Sequence, residues 1–356
     1  MVKDITILLT GAGAPGAPGI IKCFRSVKER GIRIVGVDMN PFPSGRALVD
    51  VFYTVPPASS DDFIPAILDI CLREKVDVVI PIVTRELMKF AEAKSQFKNY
   101  GILISVLDKD ILDIVNDKLH LLDALTAHGI QTPQYRVIKD VSELRQACEE
   151  LGYPDKPVCV KQTQGNGSRG IRFIDKSKSR YDLFINEKPN SMYISYEEME
   201  LTLKERRDIP RFLVMEFLPG QEYSVDLLTQ AGQTIFSVGR YNSKVISSIP
   251  VECTLDYRKD VIDISEAISS AMGLTGNIGL DFRYDIDNKP QIMEINPRLT
   301  ATIVTPAAAG INLPYLGVKL LLGEPFEVHD IDYDGVKMVR RWEEEFFDIN
   351  GNKIAF

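Results

Sequence analysis

The apolar and polar positions of this chain fall into short blocks. Residues 5–10, Ile-Thr-Ile-Leu-Leu-Thr, form a continuous apolar run typical of a strand buried on both faces of a parallel sheet. A helical stretch to about Arg30 follows, and a second run at 32–37 ends at Asp38. Residues 51–55, 76–81 and 102–105 read as further strands, with helices at 61–74 and 84–95 between them. Strand and helix alternating at this spacing predict a doubly wound sheet whose loops gather at the carboxyl ends of its strands.

Beyond about residue 110 the texture changes. Residues 111–129 are amphipathic and stop at Gly129, and Ile130-Gln-Thr-Pro133 is an extended exit. A strand at 135–138, a helix at 141–151 and the run Val158-Cys-Val-Lys161 lead into a glycine-rich loop, Gln164 to Ile171, and a strand at 171–174. Residues 176–210 are charged and irregular, with a surface helix at 196–207. Strands at 225–228 and 234–238 pair around Ala231-Gly232, and a helix at 260–272 ends at Gly273. Leu280, Phe282 and Tyr284 then alternate on one side of a strand, and Asp287-Asn-Lys-Pro290 turns it into an apolar return carrying Ile292 and Ile295. This hairpin sets Asp281 near Glu294 on the neighbouring strand, with Asn296 on the same face as Glu294. Packing helices at 301–309 and 316–322 follow, and the tail from Glu324 returns as strands.

Composition narrows the class. Of 356 residues, 45% are hydrophobic and 26% charged, an ordinary globular balance over a length that holds two or three subdomains. The net charge of −8 argues against broad binding of nucleic acid or anionic membrane. Cys23, Cys71, Cys148, Cys159 and Cys253 form no C-x-x-C pair and read as buried thiols. His120, His128 and His329 have no zinc-ligand spacing. With no amino-terminal signal and no apolar run of membrane length, the expected compartment is cytoplasmic.

Candidate chemistry sits at three places. Two carboxylates and an amide oxygen, Asp281, Glu294 and Asn296, are costly beside apolar residues unless a cation joins them, and oxygen ligands of this kind suit Mg²⁺. Arg298 follows Pro297 and could clamp a phosphoryl group. In the loop, Gly165, Gly167 and Gly170 let backbone N–H groups approach a polyphosphate, and Ser168 and Arg169 could add donors. At the start, Gly11-Ala-Gly13-Ala-Pro15-Gly16 with Asp38 after the second strand matches a dinucleotide fingerprint, with Asp38 on a ribose. Pro15 and Pro18 disturb the turn and the helix start that would receive a pyrophosphate. Arg85 and Glu86 lie in a loop at a strand's carboxyl end and either face a ligand or stay solvated. Arg240 or Lys244 could hold an acidic substrate or a transferred phosphate.

The run Met293-Glu294-Ile295-Asn296-Pro297-Arg298, preceded by Asp281, resembles the metal-binding hairpin of the ATP-grasp superfamily, whose members join a carboxylate to a nucleophile at the expense of ATP. The Ile-Asn-Pro-Arg run and the glycine-rich opening look most like the branch of the carbamoyl phosphate synthase large subunit, here with a single module. The resemblance extends to Asn116-Asp117-Lys118, which is similar to the entry into the module and makes Lys118 a phosphate ligand. Pro157-Val-Cys-Val-Lys161 and its loop resemble the lid, where Lys161 would hold phosphate oxygens; the family often has Lys-Pro where this chain has Lys161-Gln162. Phe212 to Asp226 resembles the hinge. By that likeness Glu216, Phe217 and Leu218 line the adenine, through backbone groups plus the Glu216 side chain or carbonyl, and Glu222 takes the ribose hydroxyls.

The resemblance implies an α/β chain: a Rossmann-like domain at 1–115, a two-subdomain α+β ATP-grasp module at 116–323 with its lid at about 133–213, and an extension at 324–356 packing on the core. It implies an ADP-forming carboxylate–amine ligase using ATP and Mg²⁺ or Mn²⁺, with Arg298, Lys161 and Arg240 as catalytic candidates. Its substrates are a small carboxylate and an amine, with no nucleic acid or membrane partner, and a homodimer is allowed. An oxidoreductase using NAD(P) at the first glycine turn, or an idle ATP-binding protein, is the alternative.

Overall fold

The first apolar runs become β1 (Ile5–Leu9), β2 (Ile32–Asp38), β3 (Val51–Thr54), β4 (Val78–Ile80) and β5 (Leu103–Ile104), a sheet in the order β3-β2-β1-β4-β5. Its four pairings are all parallel. Strands buried on both faces explain the unbroken apolar runs. Ile7 and Leu9 pack with Ile20, Ile21 and Phe24 of the helix Ala17–Arg25. Leu8, Val35 and Val37 pack on the opposite side with Phe63, Ile67 and Phe90, from the helices Phe63–Glu74 and Thr84–Lys98. The doubly wound expectation holds.

The structure, a computed structural model, describes residues 2–165, 167, 169–187, 191–246, 249–329, 331–349 and 353–354. It forms two compact units. One comprises Met1–Asp113, Glu222–Asp281 and Ile295–Phe356; the other comprises Ile114–Gln221 and Phe282–Glu294.

In the second unit β6 (Tyr135–Ile138), β7 (Val158–Gln162), β8 (Ile171–Ile174), β9 (Tyr193–Ile194) and β10 (Phe212–Glu216) form a sheet in the order β6-β10-β7-β8-β9. One face of it carries Val158, Val160, Ile174 and Val214 into a core with Leu144, Cys148 and Met199. Among the described residues of 176–210 the structure holds two helices and a strand. Ser179 accepts a hydrogen bond from the Asp182 N–H (3.0 Å) and starts a helix at Arg180–Asn186, and β9 pairs parallel to β8. The amphipathic stretch 111–129 is two helices, Lys109–Val115 and Lys118–Ala127. Asp117 makes the break, because its carboxylate caps the second helix by accepting from the N–H groups of Leu119 (3.0 Å) and His120 (3.3 Å).

A third sheet contains β11 (Glu222–Gln230), β12 (Gln233–Ile246), β13 (Ile249–Leu255), β14 (Gly276–Tyr284), β15 (Pro290–Asn296) and β16 (Lys337–Val339), in the order β15-β14-β11-β12-β13-β16. Along β14, Leu280, Phe282 and Tyr284 are buried while Asp281 and Arg283 are half-buried, the expected alternation. The tail does return as a strand, with Met338 of β16 opposite Cys253 of β13. Residues 301–309 are helical only over Val304–Ala308. All five cysteines are free and buried. No helix among the described residues is long and apolar enough to cross a membrane.

Candidate active site

In the second unit one helix cap places a lysine against the glycine-rich loop. Asp117 is 1% exposed, and its second carboxylate oxygen accepts from the Gln164 amide (3.1 Å). Lys118, the first residue of the capped helix, donates its backbone N–H to Thr163 O (2.8 Å) and its Nζ to Gly165 O (3.0 Å). The cap therefore fixes the lysine against the glycine-rich loop. Burial lowers the Lys118 pKa below the ordinary lysine value. The Glu294 and Asp117 carboxylates oppose this, and the Lys161 charge adds to it. A half-buried ammonium whose pKa stays lowered despite two nearby carboxylates still gains from the negative charge of a polyphosphate. Lys161 lies on β7 opposite Leu213 of β10 and Ile171 of β8, and by alternation faces away from the Val158–Val160 core. Gly165, Gly167 and Gly170 lie in this loop, and Ser168 falls outside the described residues.

The hinge candidates follow β10. Glu216 exchanges two bonds with Gln134: its N–H donates to Gln134 O (3.0 Å), and its carboxylate accepts from Gln134 N–H (2.7 Å). The Glu216 side chain is thus committed to the strand edge. Phe217 stacks edge-on against Phe173, centroids 5.2 Å apart, and Leu218 is buried. Gly220 donates its N–H to Tyr284 O (2.9 Å). A Cβ on Gly220 would stand 2.6 Å from Tyr284 Cβ, so only glycine fits. Glu222 is half-buried at the start of β11, in the first unit.

In the first unit a row of hydrogen bonds crosses four strands. Asn242 of β12 donates to Ser224 Oγ of β11 (3.3 Å), and Ser224 donates to Asp281 Oδ1 of β14 (2.6 Å). Asn296 of β15 donates to Asp281 Oδ2 (2.8 Å). Arg298 donates from Nη2 to Asn296 Oδ1 (3.1 Å), from Nη1 to Leu299 O (3.0 Å) and from Nε to Thr84 Oγ1 (3.1 Å). Glu294 sits two residues before Asn296 on the same strand and so on the same face. Among the described residues no three His, Cys, Asp or Glu side chains gather as a metal cage. A site with few protein ligands, all of them oxygen, fits Mg²⁺, which keeps several waters and shares its shell with phosphates. Arg240 is 2% exposed and ion-paired with Asp226, and Thr300 also donates to Asp226 (2.8 Å). Burial raises the Asp226 pKa, against the Arg240 charge. The Arg240 head is therefore engaged inside the sheet, and Lys244 is exposed and lies 3.8 Å from Glu252. Thr84, Asp117, Ser224 and Asn242 were not singled out from the sequence. The signal for Ser224 was a polar residue that, with Asp226, alternates with Tyr223, Val225 and Leu227 along β11.

The opening glycine turn is filled by its own chain. Gly13 N–H donates to Asp38 Oδ2 (2.7 Å), and Asn40 N–H donates to Oδ1 (2.8 Å), so both oxygens that a ribose would need fold the loop instead. A Cβ on Gly16 would lie 2.8 Å from Ala301 Cα, which places backbone where a pyrophosphate would meet the helix start. Arg340 fastens this arrangement by donating to Pro15 O (3.2 Å) and Ala301 O. Nearby, Thr10 donates to the half-buried Glu86 carboxylate. Burial raises the Glu86 pKa to about 7 against that hydrogen bond, and the Asp38 charge adds to the rise.

Fold and matched segments point to one class: the chain resembles the ATP-grasp superfamily, with the fold of a Rossmann-like domain followed by one ATP-grasp module. The reaction of that class is ADP-forming, carboxylate-activating ligation with ATP and Mg²⁺. Residues 208–345 match the family described as ATP-grasp in the biosynthetic pathway with Ter operon, and residues 7–105 match the PylC-like N-terminal domain. The chain is 24% identical over 337 residues to a formate-dependent phosphoribosylglycinamide formyltransferase of Wolinella succinogenes, covering 92% of this chain and 79% of that protein. It is 27% identical over 210 residues to a D-alanine–D-alanine ligase of Gloeobacter violaceus, covering 55% of this chain and 64% of the ligase. Among solved structures, an ADP complex of N5-carboxyaminoimidazole ribonucleotide synthetase superposes with a TM-score of 0.68 at 15% identity, covering 94% of this chain and 80% of that one.

Proposed function

We propose that this chain activates a small carboxylate as an acylphosphate with ATP and passes the acyl group to an amine, and that residues 116–323, with a lid at about 133–213, do this work. The observation that carries the reading is Lys118, half-buried against Gly165 and electrostatically coupled to Lys161 and Glu294. In this reading Lys118, Lys161 and the Gly165–Gly170 loop hold phosphate oxygens. Backbone groups of Glu216, Phe217 and Leu218 take the adenine, and Glu222 takes the ribose. Asp281, Glu294 and Asn296 would hold Mg²⁺, which supplies charge neutralisation at the β- and γ-oxygens when bound. Arg298, already aimed by Thr84 and Asn296, stabilises the transferring phosphoryl group. The relatives' names favour small-molecule substrates, formate and an amino acid among them. Nucleic acid and membrane play no part, a homodimer is compatible, and the expected setting is the cytoplasm.

The test is ADP release with Mg·ATP and pooled small carboxylates, with hydroxylamine as the trapping amine. Carboxylate-dependent ADP release with hydroxamate formation is expected. ATP turnover that no carboxylate stimulates, alongside NAD-dependent oxidation, would overturn the reading.

A further inference from the structure

We infer that Ser224 is the positioning residue for the Asp281 carboxylate, and that Asn242 sets the direction of the Ser224 hydroxyl. The inference rests on Asp281 being a metal ligand, as proposed above. A serine hydroxyl has one proton to give. Asn242 Nδ2 donates to Ser224 Oγ (3.3 Å), which fills an acceptor position on that oxygen and turns its proton away, towards Asp281 Oδ1 (2.6 Å). Asn296 fixes Oδ2 from the other side (2.8 Å). The carboxylate plane is thus set by one donor on each oxygen, and each oxygen keeps lone pairs for a cation. These residues come from β12, β11, β14 and β15, which are consecutive neighbours in the sheet, so the row is as rigid as the ladder beneath it.

Two observations set this row apart from ordinary packing. Ser224 is 2% exposed in a strand whose other face carries Tyr223, Val225 and Leu227, all at 1% or less; an alanine would fit there without the cost of burying a hydroxyl. Asn242 keeps its donation to Ser224 although its own Oδ1 is buried without a partner among the described residues. A purely structural row would not need to retain an unmet acceptor. Groups that orient a metal-binding carboxylate typically change metal affinity by about 10–100-fold when removed.

The experiment reads metal binding directly, with Mn²⁺ titrated into protein plus ADP and free Mn²⁺ followed by electron paramagnetic resonance. Ser224→Ala is expected to weaken Mn²⁺ binding by about 10–100-fold, leaving affinity for metal-free ADP unchanged. Ser224→Thr, which keeps the hydroxyl, should recover most of it. Asn242→Ala should fall between, since the hydroxyl remains but its rotor is released. Asp281→Asn is the control, expected to lose more than Ser224→Ala. Mn²⁺ binding by Ser224→Ala within twofold of the parent overturns the positioning role. If Asp281→Asn also binds normally, the ligand assignment itself falls, and the two failures are told apart.

Discussion

Lys118 and Glu86 show how burial acts on opposite charges at residue scale. Lys118 is a cation kept partly from water beside another cation, so removing its charge should relieve the protein and disable the site. Lys118→Met is expected to fold normally and to lose about 1.5–3 kcal/mol of Mg·ATP affinity, the range for a hydrogen bond involving a charged group, as read by calorimetry. Glu86 is the mirror case. Its pKa rises from 4.5 to about 7 in the folded state, so the folded protein holds a proton that the unfolded chain releases. The associated stability is fully present below pH 4.5 and is lost as pH rises through about 7. Glu86→Gln keeps an acceptor for Thr10 and carries no charge. Its unfolding free energy, read from urea denaturation, should match the parent near pH 4 and exceed it at pH 8, by about 1–2 kcal/mol after allowance for partial exposure.

At the scale of elements, the glycine turn is where the two enzyme readings part. Asp38→Ala should cost about 1.5–3 kcal/mol of stability by removing two solvent-exposed charge-assisted backbone bonds and leave Mg·ATP affinity within twofold. A large loss of nucleotide affinity with an unchanged denaturation midpoint would restore a ribose role. This site also shows what could be read in advance. The fingerprint Gly11-x-Gly13-x-x-Gly16 was visible, and Pro15 and Pro18 marked it as irregular. Ala301 and Arg340 were not foreseeable as its fillers, because they meet it from some 290 and 330 residues along the chain. The parallel strands and the hairpin were legible, since apolar runs and period-two alternation are local signals. The break at Asp117 was read through, because the apolar spacing continues across it while the cap depends on one carboxylate. Arg240 looked like a substrate cation in the sequence, and only the fold revealed Asp226 beside it.

For the whole molecule, the division of labour predicts where a nucleotide should be felt. Lys118, Lys161, the Gly165–Gly170 loop, Glu216–Leu218 and Glu294 all belong to the unit formed by Ile114–Gln221 and Phe282–Glu294. The glycine turn and Asp38 belong to the other unit. Ligand that binds only the folded state stabilises it by about 2.7 kcal/mol at one hundred times its dissociation constant, and local protection follows the contacts. Hydrogen exchange with Mg·ATP should therefore slow the amides of residues 117–119, 158–165 and 212–218, together with a raised melting temperature. NAD at equal concentration should do neither, and amides 11–16 and 38–40 should exchange as in the unliganded protein, since their bonds are already closed by Asp38. Protection of those turn amides by NAD, with 158–165 unmoved by Mg·ATP, would transfer the nucleotide to the first domain and undo the ligase assignment. Lys161→Met separates a nucleotide effect from general stiffening. It should abolish the Mg·ATP protection at 158–165 while leaving the exchange of the unliganded chain, whose strand pairing with Leu213 and Ile171 uses only the backbone, as it was.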